Sequence, residues 1–377
     1  MYYFDNASTT FPKVETVYSK TMEIYKNLGV NFSRNRSSKS EKANNIKKEL
    51  IENLRNIFST NGDIILNSSA TFSLNEILRG LDYSEIKNVY ISPFDHNAIY
   101  RTIKDLQNIY GFKLNVLKFN DFDLDVNDMK LKFMSQKPDL IVSTHASNVF
   151  GNIVDIKSIF KAGKEYNSIT VLDGAQTSGL LDFSEISNLC DFIVFAGHKT
   201  LYGPSGIGGY VYNTKNKSII LKPLLYGGTG IKSEEVDMPT DIPERYEAGS
   251  PNLVGIIGLK LSTDWVLKIK IENIRKKETE NHERLVELFK RYEHDLSFKI
   301  PKKSVGVISV VANDYTPEEL GSILEDYDIY TRTGMHCSPI AHKHMGTKYN
   351  GTIRFSVSYF TRDEDFKRLE EVLEEIL

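Results

Sequence analysis

Between residues 40 and 215 of this 377-residue chain, short apolar runs alternate with stretches of helical spacing, and nothing else in the sequence constrains the fold as much. The runs are Ile64–Leu66, Val89–Ile91, Lys113–Leu117, Leu140–Thr144, Ile169–Leu172 and Phe192–Phe195. Helical periodicity predicts Glu41–Ser59, Ser73–Leu81, Ala98–Tyr110 and Ile156–Tyr166 among them. A strand that is apolar on both sides must be covered on both faces, so the pattern predicts a mainly parallel sheet between two layers of helices. Ligands of such sheets sit beyond the carboxyl ends of the strands. The polar clusters fall just there: Ser68-Ser69-Ala70-Thr71, Asp95-His96, His145-Ala146-Ser147-Asn148, Asp173-Gly174-Ala175-Gln176 and Gly197-His198-Lys199.

The remainder predicts a second, smaller α+β unit. A long helical stretch from Val254 to Tyr292 leads to Val305–Val311, Ile329–Thr331, Ile353–Ser358 and a final helix Arg362–Ile376. Thr316, Pro317 and Glu319 form an N-cap, first-turn proline and capping-box set between them. A chain of 377 residues exceeds the roughly 250–300 at which one core stops growing. The expected division is an arm at 1–15 packing with the small domain, a large domain at 16–253, and a small domain at 254–377 carrying a cysteine loop. Val14–Leu28 has helical spacing, and Val30–Lys39 reads as a polar loop.

Charge and composition exclude several function classes. The net charge of −3 gives no general field for nucleic acid or anionic lipid, and no segment approaches the ~18 apolar residues of a membrane helix. The start, MYYFDNASTT, has neither a basic nor an apolar leader segment, so the cytoplasm is the expected location. Two cysteines, Cys190 and Cys337, do not make a disulfide framework; Cys190, just before a core strand, reads as packing.

Lys199 ends a buried apolar run among glycines. Alone it reads as a surface lysine after a strand, but partial burial would lower its pKa and make it a nucleophile toward an aldehyde. Asp173 ends another apolar strand, where a carboxylate can protonate a pyridine nitrogen and make the ring an electron sink. Gln176 and Asn148 can donate to a phenolic oxygen, and His96 can lie flat on a ring. Ala70 and Thr71 stand where free helix N–H groups take a phosphate. Each feature has an ordinary structural reading; together they predict a pyridoxal-5′-phosphate (PLP) site. The glycines do not have P-loop spacing.

These segments resemble the class V aminotransferase family of PLP enzymes, and its cysteine desulfurase branch with a compact active-site loop. The resemblance runs the full length, through Tyr3-Phe4-Asp5-Asn6-Ala7-Ser8-Thr9-Thr10, Thr144–Val149, Asp173–Gln176, Gly197–Lys199, Arg245–Asn252, Gly334-Met335-His336-Cys337 and Arg354. It implies a fold type I transferase with a mainly parallel seven-stranded sheet and a smaller α+β C-terminal domain. It implies that Lys199 holds PLP as a Schiff base, His96 stacks on it, Asp173 pairs with its ring nitrogen, and Asn148 and Gln176 touch its phenolic side. Thr71, Ala70 and His198 would bind phosphate, with Ser250 reaching the phosphate of a neighbouring subunit in a homodimer. Arg354, with Arg332 and Asn148, would hold the substrate carboxylate.

Cys337 resembles the nucleophile that takes sulfur from PLP-bound L-cysteine and carries it as a persulfide to an acceptor protein. Basic neighbours His336 and Arg332 are expected to favour its thiolate. Alternatives are a selenocysteine lyase, a class V aminotransferase or lyase that does not use Cys337, and a non-catalytic PLP-fold scaffold. The chain departs from the branch at Ala196, Ser250 and Ser69, where Ser or Thr, Thr and Gly are frequent, which implies rearranged phosphate anchoring. A zinc reading of His336, Cys337, His342 and His344 matches no standard finger spacing, and no metal is expected.

Overall fold

Seven strands form the central sheet, in the order Asp63–Asn67, Gly208–Tyr212, Phe192–Ala196, Ile169–Asp173, Leu140–Thr144, Asn88–Ile91 and Lys113–Val116. From Phe192–Ala196 to Lys113–Val116 all neighbours are parallel, and Gly208–Tyr212 runs antiparallel to both of its partners. The computed structural model describes residues 1–29, 37–213, 219–229, 236–347 and 349–377. Residues 30–36 of the expected polar loop therefore lie outside the described residues, and Ser37 N-caps the helix Ser38–Ile57.

Side-chain alternation explains the layers. Ile141, Leu172, Ile193 and Phe195 enter one apolar core, whereas Leu140, Val142, Val171, Phe192 and Val194 enter another on the opposite face. Both faces of each strand are thus buried, as parallel sheets with helical crossovers require. Gly208–Tyr212 was not among the expected strands because it opens on two glycines. Packing demands at least one: a Cβ on Gly208 would meet the Phe195 carbonyl at 2.9 Å and the Ala70 nitrogen at 3.2 Å.

The second sheet is antiparallel, Leu296–Phe298, Val307–Ala312, Thr352–Ser356 and Arg332–Gly334, with its own core. The helix expected from Val254 to Tyr292 is two helices, Leu253–Ile269 and Ile271–Lys290, broken where Lys270 takes φ +74°. The capping box at Thr316 and Glu319 is present. The first residues run along this unit: Tyr2–Tyr3 pairs in parallel with Ile329–Tyr330, and Asp5 bridges to Ser356. Among the described residues, no helix is long and apolar enough to cross a membrane.

Candidate active site

A cavity of about 100 Å³ opens at the carboxyl ends of the parallel strands. His96, Asn148, Asp173, Gln176, His198 and Lys199 all line it, together with Ala70 and Thr71 at the start of the helix Ala70–Gly80. Sheet register brings them together. Asp173 is the last residue of its strand, level with Thr144 and Val194 on its two neighbours, and the loops that follow those strands carry Asn148 and Lys199. The helix starts at Ala70, three residues before the expected Ser73, because Ser69 caps it by accepting from the Phe72 N–H at 3.1 Å. Serine at 69 thus has a structural use, and the first helical N–H groups remain directed at the cavity.

Burial sets the protonation of these groups. Desolvation lowers the Lys199 amine from its ordinary value, with Asp173 opposing it. The same cause raises the Asp173 carboxyl, against a hydrogen bond from the Ala175 N–H at 3.0 Å and the charge of Lys199. His96 and His198 are both lowered to about 4, first by burial and then by Lys199, so both imidazoles are neutral near pH 7. His96 Nδ1 accepts from the Ala98 N–H at 3.1 Å, which fixes the ring at the start of the helix Asn97–Tyr110. Gln176 donates to the Ala7 carbonyl at 2.9 Å, tying the arm to the cavity wall.

The Cys337 loop docks onto this wall at three points. Asn148 Nδ2 donates to the His336 carbonyl at 2.6 Å, Ser338 Oγ donates to Asn148 Oδ1 at 2.7 Å, and Asn97 N–H donates to the Cys337 carbonyl at 2.7 Å. His336 and Cys337 both lie in the left-handed region, at φ +46° and +58°, and Cys337 is exposed. One part of the sequence reading fails here. His336 is buried with Nε2 against Thr352 at 2.9–3.0 Å, and its pKa falls to about 2, chiefly by burial, so it supplies no positive charge to the thiol. Arg332, exposed, is the remaining cationic neighbour in the motif. Cys190 is buried and donates to the Ile186 carbonyl at 3.3 Å.

Arg354 is 2% exposed, donating to the Asn148 carbonyl at 2.8 Å, Ser8 Oγ at 2.8 Å and Asp5 Oδ1 at 2.5 Å. Asp5 and Ser8 had no role in the sequence reading, although both lie inside a quoted motif. Lys13 and Ser338 were likewise passed over. Ser250 does not line the Lys199 cavity; it borders a separate one of about 240 Å³ with Asn67, Tyr246 and Asn252. Of the side chains in the zinc reading, His342 Nδ1 meets Thr347 Oγ1 at 2.8 Å and His344 Nε2 meets the Asp121 carbonyl at 2.7 Å.

The family model described as Aminotransferase class-V matches residues 2–369. A probable cysteine desulfurase of Pyrococcus abyssi is 29% identical, covering 100% of this chain and 94% of that protein. A cysteine desulfurase of Pectobacterium carotovorum is 28% identical over 97% of this chain and 91% of its own length. The apo structure of the cysteine desulfurase from Thermococcus onnurineus superimposes with a TM-score of 0.92 at 27% identity, covering 99% of this chain and 94% of that one. Sheet order, cavity and a match over nearly the whole length agree, and the chain belongs to the class V aminotransferase family.

Proposed function

We propose that this protein is a PLP-dependent cysteine desulfurase that converts L-cysteine to L-alanine and collects the sulfur as a persulfide on Cys337. The observation that carries the reading is the docking of an exposed cysteine, through Asn148 and Asn97, onto a cavity lined by Lys199, Asp173 and His96. The full-length likeness to proteins named cysteine desulfurases supports it.

The family is PLP-dependent, and the residues present fit that cofactor. His198 Nδ1 is buried without a hydrogen-bond partner, and the helix start at Ala70 and Thr71 offers free N–H groups, a donor set suited to phosphate. Lys199 and Asp173 have the lowered amine and raised carboxyl that imine formation and a pyridine nitrogen call for. When bound, PLP supplies an electron-withdrawing ring that stabilises negative charge at the substrate Cα.

In this reading Lys199 Nζ holds the cofactor and then moves the Cα proton, for which a lowered pKa suits it near neutrality. Asp173 would pair with the ring nitrogen, His96 would lie against the ring, and Asn148 and Gln176 would border its phenolic side. Ala70, Thr71 and His198 take the phosphate, and Ser250 that of a second subunit, in a homodimer. Arg354, with Arg332 and Asn148, orients the substrate carboxylate, and Cys337 Sγ receives the sulfur. The domain division at 15 and 253, a cytoplasmic location and a persulfide-acceptor protein belong to the same proposal.

The test is alanine formation from L-cysteine by the PLP-loaded protein under reductant, beside Cys337→Ala. Wild type is expected to release alanine and the variant to lose at least a hundredfold in rate. Equal rates would remove Cys337 from the reaction, and no alanine from either would remove the desulfurase reading. L-Selenocysteine as parallel substrate decides between chalcogens.

A further inference from the structure

The turn that carries Cys337 is strained. His336 and Cys337 follow one another in the left-handed region, at φ +46° and +58°, a conformation that their Cβ atoms disfavour. Around them, the Ser338 N–H donates to the Met335 carbonyl at 2.9 Å, the Asn97 N–H donates to the Cys337 carbonyl at 2.7 Å, and His336 Nε2 meets Thr352. The Asn148 amide makes the remaining contacts, Nδ2 donating to the His336 carbonyl at 2.6 Å and Oδ1 accepting from Ser338 Oγ at 2.7 Å. A carbonyl can only accept, so the amide turns its nitrogen to His336 and its oxygen to Ser338. An amide nitrogen has two N–H groups, and one remains for the cavity that Asn148 lines.

Ser338 stands at the N-cap of the helix Pro339–Met345 and makes no side-chain capping bond. Serine is favoured at such a position because its oxygen accepts from the first turn. Here the hydroxyl is turned to Asn148 instead. Ser338 is fully buried. An alanine at 338 would add no atom and cost the helix no cap; it would leave Asn148 Oδ1 without this donor, and the amide without the bond that orients it toward His336. The backbone of Asn148 is anchored separately, since its carbonyl accepts from Arg354 Nη1 at 2.8 Å. The turn also lies against the Lys199 cavity: Asn148 and His96 line it, and Asn97 follows His96. Burial lowers the Lys199 amine, and Cys337 is among the charges that oppose the shift, which sets the thiol within electrostatic reach of that amine.

We infer that Ser338 is a positioning residue for sulfur transfer: by donating to Asn148 Oδ1 it fixes the Asn148 amide, and through that amide the strained turn that presents Cys337 at the Lys199 cavity. The inference rests on the proposed reading, in which Cys337 Sγ receives the sulfur. It goes further in assigning the aim of the thiol to a hydroxyl that touches neither substrate nor cofactor.

The experiment compares wild type and Ser338→Ala, both PLP-loaded, in three measurements. Alanine formation from L-cysteine under reductant gives kcat, which is expected to fall at least tenfold in the variant because the reacting sulfurs are no longer held in line. Titration with L-alanine, followed by the cofactor's visible absorbance, gives a dissociation constant that is expected to stay within threefold of wild type. Hydrogen exchange at the Asn97 amide, whose partner is the Cys337 carbonyl, is expected to quicken at least tenfold. An unmoved kcat or an unmoved Asn97 amide overturns the inference, and so does a kcat loss matched by an equal weakening of L-alanine, which would mean general damage to the site. The exchange measurement needs no turnover. If wild type forms no alanine, the desulfurase reading falls and the Asn97 amide alone decides whether Ser338 holds the turn; full activity in Ser338→Ala sinks this inference and leaves the desulfurase reading intact.

Discussion

Lys13 has an unusual environment for a lysine. Its ammonium donates to Thr9 Oγ1 and Thr10 Oγ1 at 3.0 Å each and to the His198 carbonyl at 2.5 Å, beside Lys199. No carboxylate pairs with it among the described residues, and burial lowers its pKa from 10.5 to about 7. The sign of the consequence is fixed. An unfolded chain keeps this proton up to about pH 10.5 and the folded chain releases it near 7, so between those values the unfolded state binds more protons and stability rises with pH. Lys13→Met is expected to flatten that rise by at most about 1.4 kcal/mol per pH unit, the value of one proton. Thermal midpoints of both proteins at pH 7.5 and 9.5 check it, and parallel curves would count against the assignment. Such a residue is hard to see in a sequence. Lys199 stands at the end of an apolar run and draws the eye, whereas Lys13 follows a proline in a polar arm, and its three acceptors come from both the arm and a segment 185 positions away. His336 erred in the opposite direction: adjacency to Cys337 suggested a cation, and the backbone turn at φ +46° sends the ring inward instead.

At the level of elements, the parallel strands were legible because burial on both faces leaves continuous apolar runs, and their ends located most of the cavity lining. Gly208–Tyr212 was not, since the close approach of neighbouring backbone replaced its first side chains with glycine. The break at Lys270 was hidden because the helical periodicity continues across it. Beyond that break, the helix Ile271–Lys290 carries Glu278 into the interior, where Oε1 accepts from the Gly306 N–H at 3.0 Å. Burial raises its pKa from 4.5 to about 7, opposed by that hydrogen bond and by Arg275. A raised carboxyl contributes stability fully below the unfolded value near 4.5, and the contribution is lost as pH climbs through about 7. Glu278→Gln, neutral at every pH and still an acceptor, is therefore expected to match wild type near pH 5. At pH 8.5 it is expected to exceed wild type by up to about 3 kcal/mol. Denaturation at the two pH values is the measurement, and a variant less stable than wild type at pH 8.5 would show that Glu278 is held as a useful anion.

Over the whole molecule, the first ten residues connect the two sheets. Phe4 is fully buried in the second core, edge-on to Phe355 and Phe366 with centroids 6.2 and 5.9 Å away, while Thr9 and Thr10 bond the His198 and Lys199 carbonyls of the first unit. Removing residues 1–10 would empty the Phe4 site, a loss of roughly 3–5 kcal/mol for a buried phenylalanine. It would also leave the Arg354 guanidinium buried without its carboxylate, a similar cost. Both losses fall on the antiparallel sheet, since Phe4 packs into its core and Arg354 is one of its strand residues, whereas the parallel sheet loses polar contacts at one edge of its cavity. Hydrogen exchange should therefore separate the two in the truncated protein. Amides of Thr352–Ser356 and Val307–Ala312 are expected to lose protection by orders of magnitude, and those of Ile169–Asp173 and Leu140–Thr144 to keep most of theirs. Equal loss in both sheets would mean that they open as one cooperative unit, with the arm supporting the whole chain and not chiefly the half that carries Cys337 and Arg354.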